Sequence, residues 1–324
     1  MAILSDYFEP KLLDHMFNKA EFTRPSSLYL GVSTTAFTES DNGITAAAKE
    51  PGYDSTTPSY FGAGYSRVQI DANTRYDATS TNIKNTSGID FSEAGGSGWG
   101  SIQYWAIFDS NTSTANMLMH GSFTAAVTVA SGSQFRIGTG DLEIIFPTIL
   151  NEADDLSTSS DNRFWRGQVA YLLGLNHPTG IDSNANNYFS FATENNSGRF
   201  LYLGVSTTAF PDSLSAAESS GTNYQRVYVT NSWANASTSG SGVTTISNSA
   251  AMSFPEAGSD WGDIAYWAIF RGDNTGDYDA SAYTSSGSGS SSQPLLKGTL
   301  TASKTVNTGD VLRFGIGDFV VTAS

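Results

Sequence analysis

The chain has 324 residues, more than one hydrophobic core usually organises, so two domains are expected. Hydrophobic residues make up 39% and aromatics 12%, which supplies packed cores and excludes a disordered polymer. The absence of cysteine excludes disulfides and thiolate metal sites, and a net charge of −15 opposes polyanionic partners such as nucleic acid or an anionic bilayer surface.

The start, "MAILSDYFEP", lacks a basic stretch and its apolar run breaks at Ser5, so no signal peptide is expected. No apolar run reaches membrane-spanning length. "DYFEPKLLDHMFN" sets Phe8, Leu12, Leu13, Met16 and Phe17 at helical spacing, with Asp6 as N-cap and Pro10 in the first turn. The apolar face of this helix is expected to pack on its own domain rather than on a neighbour.

Next comes "LYLGVSTTAF" (Leu28–Phe37), a sequence that returns letter for letter at Leu201–Phe210. After the first copy stand "GYSRVQI" (Gly64–Ile70), "FSEAG" (Phe91–Gly95), "WGSIQYWAIFD" (Trp99–Asp109) and "GSFTAAVTVASGSQFRIGTGDLEI" (Gly121–Ile144). After the second stand "NYQRVYV" (Asn223–Val229), "FPEAG" (Phe254–Gly258), "WGDIAYWAIFR" (Trp261–Arg271) and "GTLTASKTVNTGDVLRFGIGDFVV" (Gly298–Val321). The same blocks in the same order mark a tandem duplication, with insertions in surface loops.

The blocks read as strands. "LYLGV" and "RVYV" are short β-rich runs, and "SGS" and "NTGD" sit between such runs as hairpin turns. Alternation puts Ile102, Tyr104, Ala106 and Phe108 on one face and Gln103, Trp105 and Ile107 on the other. A strand apolar on both faces belongs in the middle of a covered sheet. Each copy is therefore expected to be a mainly β, antiparallel sandwich or jelly-roll-like domain. The polar stretch Asn151–Asn162 sets the boundary, giving a first domain at 1–150 and a homologous second at 151–324. "DNRFWRGQVAYLLGLNHP" predicts a helix leading into the second copy, capped by Asp161 or Asn162 and ending near Gly174 or before Pro178. Ser281–Gln293 reads as a long loop.

The repeated polar residues are Arg67 and Glu93 in the first copy and Arg226 and Glu256 in the second. Each pair is expected to be an ion pair holding a loop at a strand end. The sharper alternative, two active sites, lacks a second carboxylate or a histidine in either copy to complete an acid–base pair. Trp99, Trp105, Trp261 and Trp267 fit a core, with a sugar-stacking platform as the alternative; Trp233 and Trp165 lie in copy-specific stretches and are freer candidates for a sugar. His15, His120 and His177 are scattered without ligand spacing. Asp273, Asp277 and Asp279 share a loop that lacks the EF-hand order, and "RGD" at Arg271–Asp273 is a three-letter match. The sequons at Asn85 and Asn111 carry weight only in a secreted chain. No P-loop, nucleophile elbow or dinucleotide fingerprint is present. No catalytic, metal or cofactor site is expected.

Read together, "LLDHMF…SLYLGVST…GYSRVQI…WGSIQYWAIFD…GSFTAAVTVASGSQFRIGTGDLEI" and its second version resemble a family of small tailed-phage virion proteins labelled tail or tail-fibre proteins. The resemblance covers most of both halves and departs from the family in the duplication, in "SGSQF", and in the long insertions. It implies a non-enzymatic structural component of a tailed-phage particle, in the virion after assembly in the host cytoplasm. Its partners would be other virion proteins of the tail or capsid, reached through protein–protein contacts as a homo-oligomer. A fibre should be an elongated trimer, and a capsid decoration should sit on symmetry axes. The alternative function is a glycan-binding module that reads a host surface; neither reading involves nucleic acid or membrane insertion.

Overall fold

In a computed structural model, the described residues are 3–17, 19–20, 22–23, 25–57, 61–70, 74–76, 82–145, 200–210, 218–272 and 294–323. Among them, the first half contains β1 (Ile3–Leu4), α1 (Phe8–Met16), β2 (Tyr29–Ser33), α2 (Ile44–Ala47), β3 (Val68–Gln69), β4 (Thr74–Tyr76), β5 (Asn82–Asn85), β6 (Ile89–Glu93), β7 (Gly100–Phe108), β8 (Met117–Val129), β9 (Gln134–Ile137) and β10 (Glu143–Ile145). The second half contains β11 (Phe200–Ser206), β12 (Val227–Tyr228), β13 (Ser237–Thr238), β14 (Thr244–Ser247), β15 (Met252–Glu256), β16 (Gly262–Gly272), β17 (Pro294–Val306), β18 (Val311–Phe314) and β19 (Val320–Ala323). The protein is mainly β, and among the described residues the sheets are antiparallel and none closes into a barrel.

Apart from the edge strand β1, the described strands of the two halves correspond one to one. The first half has sheets ordered β1-β8-β7-β2-β3, β10-β5-β4 and β6-β9; the second has β17-β16-β11-β12, β19-β14-β13 and β18-β15. The central strands are β7 and β16, as their two apolar faces require. Leu30 and Val32 join the large core, as do Leu203 and Val205, while Phe37 and Phe108 build a smaller cluster mirrored by Phe210 and Phe270. The turns expected to close hairpins join β8 to β9 and β17 to β18, but these strands do not pair: β9 pairs with β6 and β18 with β15, so each turn carries the chain into another sheet.

Both long hairpins break register at the same place. Ile102 opposes Val127 but Tyr104 opposes Ser122, and in the second half Ile264 opposes Lys304 but Tyr266 opposes Thr299. The extra residues bulge out of β8 and β17 and bend each strand. Simple alternation therefore fails at Ile102, which joins the large core with Trp105 and Ile107 rather than the cluster of Ala106 and Phe108.

Helix α1 buries Phe8, Leu12, Leu13 and Met16 as its spacing requires, and Phe17 just beyond it is buried too. Asp6 is not its cap. The buried Ser5 serves the first turn instead, its hydroxyl accepting from the Phe8 amide at 3.3 Å and its carbonyl from the Glu9 amide at 3.0 Å. Asp6 is held elsewhere, its own amide donating to the Glu39 carbonyl at 3.0 Å.

The helix also reaches beyond its own half. The Ala236 amide donates to Asp14 Oδ1 at 2.7 Å, and Thr244 Oγ1 donates to Glu9 Oε2 at 2.8 Å. The Phe17 ring lies 4.3 Å from Trp233, whose other neighbour is Phe319 at 5.8 Å. One apolar cluster thus runs through both halves. The boundary at 150/151, the helix predicted after Asp161 and the loop 281–293 lie outside the described residues. No described helix is long and apolar enough to cross a membrane.

Candidate functional site

The repeated arginines are the best-built polar sites in the described residues, but their partners are not the predicted ones. Arg67 lies just before β3 and turns inward under β2, where Glu50 meets it from the loop after α2. Arg67 Nε lies 3.0 Å from both Glu50 oxygens, and Nη2 donates to Oε1 at 2.5 Å. Nη1 donates to the carbonyls of Ser110 at 3.2 Å and Thr112 at 2.7 Å. Tyr65 Oη donates to Glu50 Oε2 at 2.7 Å and accepts from the Val32 amide at 2.9 Å. The guanidinium stacks 3.4 Å above the Phe108 ring.

The second half repeats this cluster. Arg226 Nε is 2.9 and 3.0 Å from the Glu218 oxygens, and Nη2 is 2.7 Å from Oε2. Tyr224 Oη donates to Glu218 Oε1 at 3.0 Å and accepts from Val205 at 2.9 Å, and Arg226 lies 3.5 Å above Phe270. The glycine of "LYLGV" has the same steric role in both copies. A Cβ on Gly31 would come within 2.8 Å of both Glu50 Oε2 and Phe108, and one on Gly204 would collide with the Glu218 carboxylate. Only glycine leaves room for a carboxylate against the strand backbone.

Electrostatics follow from the geometry. Burial raises the pKa of Glu50, and the Arg67 charge pulls it back down. Burial pushes the Tyr65 and Tyr224 phenols well above their ordinary value, and the adjacent Glu50 and Glu218 carboxylates push the same way. Each acid, phenol and guanidinium is occupied by the others, so the cluster pins a loop, a strand and a β-hairpin together. It presents no acid and base facing a substrate.

Glu93 and Glu256, the partners expected from sequence, are instead exposed at the ends of β6 and β15. Those strands belong to separate two-stranded sheets, so their terminal carboxylates project to solvent rather than under β2 or β11. Glu50 and Glu218 carry a legible signal, "AAKE" and "AAES" ahead of each Tyr-x-Arg-Val. The separation from Glu to Tyr is 15 residues in one copy and 6 in the other, which hides the match.

The tryptophans are core. Trp99 and Trp261 are buried, donating their indole N–H to the carbonyls of Ala63 at 2.9 Å and Thr222 at 3.2 Å. They stand edge-on to Tyr65 and Tyr224 at 5.2 and 5.3 Å. Trp105 is buried with its ring over Gly121, while Trp267 is half-buried over Gly298 and 4.6 Å from Phe319. Trp233, offered as a freer sugar candidate, is completely buried at the contact with α1. Trp165 lies outside the described residues.

Other candidates resolve similarly. His15 is buried, its Nδ1 accepting from the Phe22 amide at 3.2 Å. His120 on β8 is buried, which lowers its pKa to about 4. His177, Asp273, Asp277 and Asp279 lie outside the described residues, as does the Asp of "RGD". Among the described residues no group of three or more His, Asp or Glu is placed to hold a metal. Asn85 is not an open glycosylation acceptor. Its side chain is buried and donates to the carbonyls of Ser87 and Gly138 at 2.7 and 2.8 Å, while its oxygen accepts from Leu142 at 2.9 Å. Asn248 makes the same three bonds to Ala250, Gly315 and Phe319 in the second half. Sequence reading missed this pair as a repeated structural position.

Fold and clusters together define a duplicated β protein whose buried polar groups serve its own architecture. The chain belongs to the family of the Podophage GP4 fiber I protein gp80, whose profile matches residues 3–145 and again 186–322. The tandem match is that of a phage fibre family duplicated in one chain. Among curated proteins, none matches the chain.

Proposed function

We propose that the protein is a non-enzymatic structural subunit of a tailed-phage tail fibre, acting through contacts with other virion proteins and with further copies of itself. The observation that carries this reading is the double match to a phage fibre family across most of the chain. The internal use of Arg67, Glu50 and Tyr65, and of their second-half counterparts, supports a scaffold rather than a catalyst. In this reading the chain comprises two domains, 1–150 and 151–324, and an extended homo-oligomer, a trimer if it follows common fibre symmetry. Assembly takes place in the host cytoplasm. Tandem domains double the contact surface per chain, so docking gains avidity where geometry lets both engage. Gold-labelled antibody against the protein, imaged on intact particles, should decorate the tail end. Labelling spread over the capsid would move the protein to a head decoration.

A further inference from the structure

Helix α1 and the chain beside it bring three carboxylates against one turn of the other half. Glu9 on α1 is 4% exposed, and its Oε2 accepts from Thr244 Oγ1 at 2.8 Å at the start of β14. Asp6 and Glu39 stand close enough to repel it, and the Asp6 amide donates to the Glu39 carbonyl at 3.0 Å. Both acids reach Gly242 in the β13–β14 turn. A Cβ on Gly242 would lie 3.1 Å from Glu39 Oε2 and 3.7 Å from Asp6 Oδ1. Asp6 Oδ1 is buried with no hydrogen-bond partner among the described residues.

The groups around this trio do not offset its charge. Among the described residues, no cation forms a salt bridge with Asp6, Glu9 or Glu39. On α1 itself, Lys11 stands 4.5 Å over the Tyr7 ring, Asp14 accepts from the Ala236 amide, and His15 accepts from the Phe22 amide. On β8, His120 responds to the charges of Asp41 and Lys49. The second-half stretch from Trp233 to Ser247 contains no charged residue.

We propose that this joint is a pH-controlled latch, shut while Glu9 is protonated and loosened when Glu9 ionises beside Asp6 and Glu39. A neutral carboxyl is tolerated there, whereas a buried carboxylate loses solvation and meets two like charges. Burial, with Glu39 and Asp6 adding to it, raises Glu9 to about 7, so the change falls near neutral pH. Burial and Asp6 raise Glu39 as well. The closed form is therefore favoured most below about pH 4.5, and that advantage is lost as pH rises through about 7. Opening parts Phe17 from Trp233, while the Arg67 and Arg226 clusters, each inside one half, keep the halves folded. The latch goes beyond the fibre reading and does not depend on it.

The test is amide hydrogen exchange by NMR on the full chain from about pH 5 to about pH 8, corrected for the intrinsic exchange rate. The Ala236 amide, bonded to Asp14 across the joint, reports the latch. Val32 and Val205, fully buried in β2 and β11, report unfolding of each half. Ala236 should be less protected than both valines throughout, because the joint opens before either half unfolds. Its protection should fall about tenfold over the range, after discounting for solvent screening of a partly buried acid. Glu9→Gln should abolish the fall, and Glu39→Gln should reduce it. Three results would each overturn the proposal: Ala236 as protected as the valines, protection that ignores pH, or a fall that survives Glu9→Gln. Particle labelling decides the fibre reading separately, so each can fail without the other.

Discussion

Arg67, Glu50 and Tyr65 superimpose in role on Arg226, Glu218 and Tyr224, down to the glycine that admits the carboxylate, yet the surfaces around the two clusters have diverged. Lys304 takes the place of Val127, Phe314 that of Ile137 and Val320 that of Glu143, and Thr74 occupies the strand position where the second half places Trp233. The contrast teaches where each copy is constrained. A buried ion pair tolerates little change, because losing one partner strands the other charge. Positions outside it are free to specialise, as the second copy has done at its joint with α1.

Removing the shared cluster should have the largest effect. Arg67→Met leaves Glu50 buried without its counter-charge and is expected to cost about 3–5 kcal/mol of stability. Arg226→Met should cost a similar amount, and urea unfolding of the two variants checks it. A much smaller loss in one of them would break the equivalence of the halves.

Trp233→Ala acts on what the copies do not share. It removes the ring between Phe17 and Phe319 and should cost about 3–5 kcal/mol. Calorimetry should then resolve two transitions, because the apolar link between the halves is gone.

The same joint predicts a pH dependence. Burial raises the Glu9 pKa from 4.5 to about 7, and the nearby Glu39 and Asp6 carboxylates push the same way against the Thr244 hydrogen bond. A group raised on folding gives stability that is fully present below about pH 4.5 and lost as pH rises through about 7. Discounted for the solvent screening of a partly buried acid, that contribution is on the order of 1–2 kcal/mol. Glu9→Gln should flatten the dependence of thermal stability over that window.

The smallest effect is expected from Gly31→Ala and Gly204→Ala, each forcing a carboxylate off its strand at about 1–3 kcal/mol. Parallel losses on thermal melting sharpen the comparison.

Strand identity, the positions of turns, the central β7 and β16 and the apolar face of α1 were all legible in the sequence, because alternation and turn residues are local signals; that the turns after β8 and β17 lead into another sheet was not. Long-range partners were not. Glu50 and Glu218 sit in loops of unequal length, and Asn85 looks like a surface sequon until its three buried bonds are seen. Asp6 has a capping residue's chemistry, but burial of Ser5 beside β8 gives the first-turn bonds to Ser5. Trp233 reads as a loose aromatic in an Asn- and Ser-rich stretch, and long-range packing between Phe17 of the other half and Phe319 makes it core.

The most direct test of the fibre assignment is the copy number of the chain in purified particles, by quantitative mass spectrometry against the major capsid protein. A few to a few tens of copies per particle is the predicted result. Hundreds of copies, or none, would contradict it.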